Sequence, residues 1–161
     1  MIKYIDGDLI ALAESGEFQV IVQGVNCFCK QKSGLAPQMA KAFCTDQFRL
    51  ERSKFKGWIN KLGNIDYRLF KREGLSSLYV VNAYTQYNYG KNHADGEENP
   101  FNYSAFSLCM TKLNHIFAGK HIGLPKIGSG LAGGNWEDIL KIIKHELTDC
   151  EVTIINYKKE L

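Results

Sequence analysis

The run FQVIVQGV, at residues 18–25, is the segment that most restricts how this chain can fold. It is rich in β-branched residues and is strongly apolar, so we expect it to form a well-buried strand. The segment that follows at 35–43 (LAPQMAKAF) has apolar residues at helical spacing, and its proline is tolerated only in a first helical turn. A buried strand that leads into a helix is typical of an α/β protein.

The rest of the chain repeats this alternation of strands and helices. Further strands are predicted at 2–5, 67–72, 78–83, 121–124 and 151–157, and further helices at 48–55, at 102–117 and from Trp136 onward. The segment 84–102 lacks apolar periodicity and is predicted to be a long exposed loop. The 161 residues therefore predict one domain, residues 1–161, with a three-layer α/β/α fold around a mixed six-stranded sheet.

Composition narrows the classes of function. The chain is 45% hydrophobic and 23% charged, as expected for a folded globular domain rather than a disordered one. Its net charge of +3 favours anionic ligands only mildly. The five cysteines lack the paired spacing of metal ligands, so we expect neither a metal nor a cofactor. Without a secretory signal or an apolar run long enough for a bilayer, we expect reduced thiols, a cytoplasmic location and no membrane partner.

Three loops follow predicted strands, at the position where open α/β sheets bind ligands. They are DGD at 6–8, NCFCKQKSG at 26–34 and KIGSGLAGG at 126–134. The last two lead into predicted helices, whose N-terminal amides attract anions. The glycines of 126–134 would let the backbone approach a diphosphate, although turns that require positive φ angles explain them equally well.

The order and spacing of these motifs resemble those of the macro domain family. The resemblance rests on GDL after the first strand, VNCFCKQKSGLAPQMAKAF after the second, VNAYTQYNYG and LPKIGSGLAGGNWEDI, and it spans nearly the whole chain. It is strongest to the stand-alone branch that includes ADP-ribose-1″-phosphate phosphatases and ADP-ribosyl-protein hydrolases. The resemblance implies that the chain binds ADP-ribose or a derivative.

The resemblance also implies roles for individual residues. Asp8 would hold the adenine amino group beside the backbone of Leu9, Asn26 would contact the distal ribose, and Asn156 or Tyr157 would flank the adenine. The two glycine loops would hold the distal ribose phosphate and the diphosphate through Ser33, Gly34, Leu35, Ala36, Ile127, Gly128, Ser129, Gly130 and Leu131. From the residues alone, Asp8 also suits a helix N-cap and Asn26 also suits a turn.

The activity implied by the resemblance is hydrolysis of ADP-ribose-1″-phosphate to ADP-ribose and phosphate. Two alternatives stay open, namely removal of ADP-ribose from protein or nucleic acid, and ADP-ribose binding without turnover. The candidate catalytic residues are Asn26, Asn135 and His93; Asn135 replaces an aspartate that is common in related phosphatases. Cys27 and Cys29 are conceivable nucleophiles, although neither has an adjacent base in the sequence.

A basic cluster offers a different partner class. Arg49, Arg52, Lys54 and Lys56 could bind nucleic acid, but a solvated helix face is the simpler interpretation, and we do not favour a nucleic-acid partner. We expect the chain to be a monomer.

Overall fold

Six strands form one mixed sheet in the computed structural model, which describes residues 2–48, 56–89, 100–130 and 132–158. The strands are β1 (Ile2–Gly7), β2 (Val20–Asn26), β3 (Ile65–Phe70), β4 (Leu78–Gln86), β5 (His121–Pro125) and β6 (Glu151–Tyr157). Their order across the sheet is β1-β6-β5-β2-β4-β3. The neighbouring strands from β1 to β4 are all parallel, and only β3 runs antiparallel to its neighbour β4.

Helices cover both faces of this sheet. They are α1 (Leu9–Glu14), α2 (Ala36–Phe43), α3 (Tyr103–Ile116) and α4 (Trp136–Glu146), with short 3₁₀ helices at Thr45–Gln47 and Ile59–Lys61. The helices α1 and α2 pack with Ile21 and Val80 in one apolar cluster, whereas α3 and α4 pack with Val20 and Val81 in another. Successive residues of a strand point to opposite faces, so β2 and β4 supply both clusters. The predicted three-layer α/β/α fold with a mixed six-stranded sheet is confirmed.

Most predicted elements are present with shifted ends. The largest difference is at β4, which was predicted to end at residue 83 but continues to Gln86. Tyr84 and Thr85 look like loop residues in the sequence, yet they are only 3% and 1% exposed because β4 stays paired with β2. The start of the predicted 84–102 loop is therefore strand.

Several predictions concern positions outside the described residues. The helix predicted at 48–55 falls there except for Phe48, and so do Arg49, Arg52 and Lys54 of the basic cluster. Lys56 is described and is exposed. His93 and Leu131 also lie outside the described residues.

The sheet topology decides where the predicted site loops lie. Because β1, β6, β5, β2 and β4 are parallel, their last residues all lie at one edge of the sheet. The loops that follow β1, β2 and β5 therefore meet at this edge, as expected for ligand sites of open α/β sheets. None of the helices in the described ranges is both long and apolar enough to span a bilayer.

Candidate functional site

A cleft of about 480 Å³ lies at this edge, between the loop after β2 and the loop after β5. A second cavity of about 360 Å³ adjoins it and shares Gly34, Leu35 and Pro125 with it. The second cavity is mostly apolar and is also lined by Leu9 and Tyr157. Together the two form an elongated site with one apolar end, of a size that suits a nucleotide-like ligand.

The start of α2 supplies unpaired amides to the cleft. Residues 33–36 all line it, and Gly34 has a left-handed φ of +66°. The N-cap residue Leu35 has no side-chain acceptor. Within the described part of the chain, the N–H groups of Gly34, Leu35 and Ala36 donate to no protein acceptor. The positive end of the α2 dipole and its free amides are therefore available to an anion.

The glycines after β5 differ in whether the packing of the protein leaves room for a side chain. Gly128 has a φ of +79°, and a Cβ there would lie 2.3 Å from Cε2 of Phe101. A Cβ at Gly134 would lie 2.7 Å from the carbonyl oxygen of Gly128. These two glycines are required by the packing of the protein itself. Gly130 is different, because a Cβ there would meet no heavy atom within 4 Å and its φ is not left-handed.

No contact with the described residues outside its chain neighbours therefore requires a glycine at position 130, which lines the cleft. The N–H groups of Gly128 and Gly130 make no hydrogen bond to any described residue, and both residues line the cleft. Unpaired amides beside an open approach are what an anionic ligand requires.

The charged side chains among the described residues that line the cleft are all lysines. Lys30, Lys32 and Lys126 line it, and the described lining residues include no carboxylate and no histidine. The Lys30 ammonium lies 4.0 Å from the ring centroid of Tyr89, and that of Lys126 lies 5.8 Å from the ring of Trp136. Cation–π contacts of this kind hold the lysines near the cleft without neutralising them.

Asn26 lines the cleft, but its carboxamide forms hydrogen bonds with the backbone of the loop after β2. Its Nδ2 donates to the carbonyl of Lys30 at 2.8 Å, and its Oδ1 accepts from the amides of Phe28 and Lys30, each at 3.1 Å. Of the two interpretations that the sequence left open, the turn role is the one that these contacts show. A contact with ribose would have to use the second Nδ2 hydrogen, and it stays a prediction.

Asp8 also takes the structural role that the sequence left open. Its Oδ1 accepts from the amide of Ala11 at 3.0 Å and so caps α1. The next residue, Leu9, is 2% exposed and lines the apolar cavity, as does Tyr157 at the end of β6. The second carboxylate oxygen of Asp8 is not used by the cap.

Comparison with known proteins gives the family. An uncharacterized 17.5 kDa protein of Enterobacteria phage T4 is 34% identical over 166 residues, which cover 98% of this chain and 97% of that protein. The chain belongs to the family of this phage protein. No protein-family model matches the chain. A solved protein of unknown function from Bacteroides thetaiotaomicron is 27% identical with a TM-score of 0.74, and the match covers 96% of this chain and 97% of that one.

Two further solved structures decide the fold. The macrodomain of Mycobacterium tuberculosis DarG has a TM-score of 0.66 at 18% identity and covers 99% of both chains. The chain has the macrodomain fold. Thermosipho africanus DarTG, solved in complex with ADP-ribose, has a TM-score of 0.68 at 16% identity, over 99% of this chain and 43% of that one.

Four predicted site residues of this chain line neither cavity, namely Asp8 and three others. Asn135 is exposed and caps α4, with its Oδ1 accepting from the amide of Asp138 at 3.2 Å. Ser129 turns its hydroxyl to the carbonyl of Lys126, at 2.9 Å. Asn156 donates to Asp6 Oδ1 at 3.0 Å on the exposed side of β6. Local hydrogen bonds hold all three side chains, so the geometry gives no support to a catalytic Asn135 or to an adenine contact by Asn156.

Asp6, which accepts the hydrogen bond from Asn156, also forms an ion pair at the protein surface. Its carboxylate accepts from Lys158 at 2.8 Å as well as from Asn156. The hydrogen bond from Lys158, and secondly that from Asn156, lowers the pKa of Asp6 below its usual value. Asp6 therefore belongs to a surface ion pair and not to the cleft.

Some residues that line the cleft were not predicted individually from the sequence. They are Gln23, Gln31, Thr85, Gln86, Tyr89 and Lys126. A signal existed for Gln31 and Lys126, which lie in the predicted site loops 26–34 and 126–134, but not for Gln86, because β4 was predicted to end at residue 83. No local signal existed for Gln23, which is an interior residue of β2. The residues described contain no cluster of His, Cys, Asp and Glu that could hold a metal ion.

The buried thiols are poor nucleophiles. Burial raises the pKa of Cys27, and likewise that of Cys109, to about 12, so both remain protonated at neutral pH. Cys44 is exposed. We expect iodoacetamide at pH 8 to alkylate Cys44 at least about tenfold faster than Cys27 or Cys109, as measured by peptide mass spectrometry. Equal rates for Cys27 and Cys44 in the folded protein would contradict this, and unfolding in urea should abolish the difference.

Proposed function

We propose that this macrodomain binds ADP-ribose and hydrolyses ADP-ribose-1″-phosphate to ADP-ribose and phosphate. The observation that carries the proposal is the joining of an apolar cavity at Leu9 and Tyr157 to a lysine-lined cleft with unpaired amides. A nucleotide diphosphate sugar has this same division into an apolar base and an anionic middle. The ADP-ribose in the structurally similar Thermosipho africanus DarTG supports the choice.

The proposed placement of the ligand follows from the two ends of the site. The adenine lies in the apolar cavity between Leu9 and Tyr157, and Asp8 accepts from its amino group. An aspartate oxygen there favours an amino group over the carbonyl of guanine. The diphosphate lies over Gly130 and the loop after β5, and the 1″-phosphate lies at the amides at the start of α2. The distal ribose then lies in the part of the cleft that Asn26 lines.

The hydrolytic step relies on position and charge. Water would attack phosphorus, the bond between phosphorus and the ester oxygen would break, and ADP-ribose would leave with that oxygen and one proton of the water, while the remaining hydroxyl stays on the phosphate. Such transfers depend mainly on electrostatic stabilisation and on positioning of the water. Lys30, Lys32 and the amides of 34–36 supply positive charge and donors beside the proposed phosphate position.

Two measurements on the purified chain test the proposal. Calorimetry should give saturable binding of ADP-ribose, and a phosphate assay should give steady release from ADP-ribose-1″-phosphate. Binding without release would leave an ADP-ribose-binding module. Release of ADP-ribose from a modified protein or nucleic acid, without phosphatase activity, would overturn the proposed phosphatase reaction and support the alternative hydrolase reaction. Absence of ADP-ribose binding would overturn the proposal as a whole.

The lysines give a prediction of substrate preference. Replacing Lys30 and Lys32 together by alanine should weaken binding of ADP-ribose-1″-phosphate about three- to tenfold more than binding of ADP-ribose, since exposed charge contacts contribute only modestly. The effect should shrink in high salt. Lys41→Ala, on the exposed side of α2, is the control and should change neither affinity. Equal losses for the two ligands in the double variant would place the 1″-phosphate elsewhere.

A further inference from the structure

Gln23 is a buried amide in the wall of the cleft with one polar atom unused. It is 2% exposed and lies within β2. Its Nε2 donates to Oδ1 of Asn82 at 2.9 Å and to Oε1 of Gln31 at 3.3 Å. Its Oε1 is buried and has no hydrogen-bond partner among the described residues. Both donor hydrogens are therefore engaged, and an acceptor is left over.

The orientation of this amide is fixed by a backbone group. Asn82 Nδ2 donates to the carbonyl of Thr45 at 2.8 Å, and a carbonyl can only accept. The Oδ1 atom of Asn82 must therefore be the atom that meets Gln23. Gln31 Oε1 also accepts from the hydroxyl of Thr45 at 2.7 Å. Rotation of the Gln23 amide by 180° would bring its oxygen against both of these oxygens, so Oε1 stays the unpaired atom.

The partner of this oxygen has to be a hydrogen-bond donor. Buried acceptors in native proteins are nearly always paired, because an unpaired one is destabilising. An ionised phosphate has no proton to donate, whereas a hydroxyl group has one. Gln23 lines the same cleft as Asn26 and Ser33 but is absent from the apolar cavity at Leu9 and Tyr157. The donor must accordingly belong to the end of the ligand that is remote from the base.

We infer that Gln23 Oε1 accepts a hydrogen bond from a hydroxyl of the sugar that ends the bound nucleotide. Gln23 then makes the cleft select a nucleotide diphosphate sugar over a nucleoside diphosphate that ends in phosphate. This inference rests on the proposed function, because that function places the base at Leu9 and Tyr157. The hydrogen bond of Gln23 Nε2 to Asn82, which the backbone carbonyl of Thr45 orients, fixes the oxygen before the ligand arrives, so no reorientation is needed on binding.

Calorimetry with ADP-ribose and ADP tests the inference. Gln23→Met keeps the length of the side chain and removes the oxygen. It should weaken ADP-ribose binding about tenfold and leave ADP binding unchanged, because only ADP-ribose carries the terminal sugar. Thr45→Val is the matched control. It removes the hydroxyl that donates to Gln31 but keeps Gln23 Oε1, so it should lower the melting temperature and preserve the ratio of the two affinities.

The possible outcomes separate this inference from the proposed function. Equal losses for ADP-ribose and ADP in Gln23→Met, or no loss for either, would overturn the inference alone. Failure of the unmodified chain to bind either nucleotide would overturn the proposed function and the inference with it. If Gln23→Met does not fold, the unmodified chain is measured with an ADP-ribose analogue that lacks the distal ribose hydroxyls. Its affinity should be about tenfold lower than that of ADP-ribose, and equal affinity would overturn the inference.

Discussion

Replacing Asp8 by asparagine should weaken ADP-ribose binding by about 10- to 100-fold, because a hydrogen bond to a charged group is lost. Asparagine still caps α1, since its side-chain oxygen can accept from the amide of Ala11 as Asp8 Oδ1 does at 3.0 Å. Its other terminal group is an NH₂, which cannot accept from the adenine amino group. The substitution thus separates the structural role of Asp8 from its proposed role in recognition.

The measurements for Asp8→Asn are the ADP-ribose dissociation constant and the free energy of unfolding. The free energy of unfolding should stay near that of the unmodified chain, whereas Asp8→Ala should lose about 1 kcal/mol with the cap. Binding of ribose phosphate, which has no base, should be unchanged in both variants. Asp6→Asn, two residues earlier in β1, is the control, because Asp6 lies in the surface pair with Lys158. Unchanged ADP-ribose affinity in Asp8→Asn would exclude Asp8 from contact with the adenine.

The elements with a local signal could be predicted from the sequence. The β-branched, apolar composition of the run around β2 predicts a buried strand without any knowledge of the neighbouring strands. The start of α4 is predicted by Asn135, which caps it. The end of β4 could not be predicted, since Tyr84 and Thr85 are held in the sheet by pairing with β2 and not by their own preferences. Sheet order is likewise non-local, so the position of β6 between β1 and β5 had no signal in the sequence.

In the candidate site, the positions of the loops could be predicted but the partners of individual side chains could not. The predicted strand ends located the three loops, because parallel strands present their carboxyl ends at one edge of the sheet. Asn26 and Asn135 each make hydrogen bonds to nearby backbone groups, an outcome that competes with any ligand contact. Gln23 and Asn82 are 59 residues apart, and their contact follows only from the register of β2 against β4.

The two glycines of the loop after β5 should respond in opposite ways to substitution. Gly128→Ala should destabilise the fold by about 3 kcal/mol, because it adds overpacking to the strain of a left-handed residue. The new Cβ would meet Phe101 Cε2 at 2.3 Å, and φ is +79°. Gly130→Val should leave the free energy of unfolding nearly unchanged, since a Cβ there has open space. It should weaken ADP-ribose binding at least about tenfold if the diphosphate approaches this backbone.

Gly74→Ala separates the two contributions at Gly128. Gly74 has a φ of +71° in the turn between β3 and β4, and a Cβ there would meet nothing within 4 Å. It should therefore lose only the strain contribution, about 1 kcal/mol, as measured by chemical denaturation. Equal losses for Gly74→Ala and Gly128→Ala would mean that Phe101 moves aside at no cost. Normal ADP-ribose binding by Gly130→Val would mean that the diphosphate does not approach this loop, and the open space at Gly130 would then need another explanation.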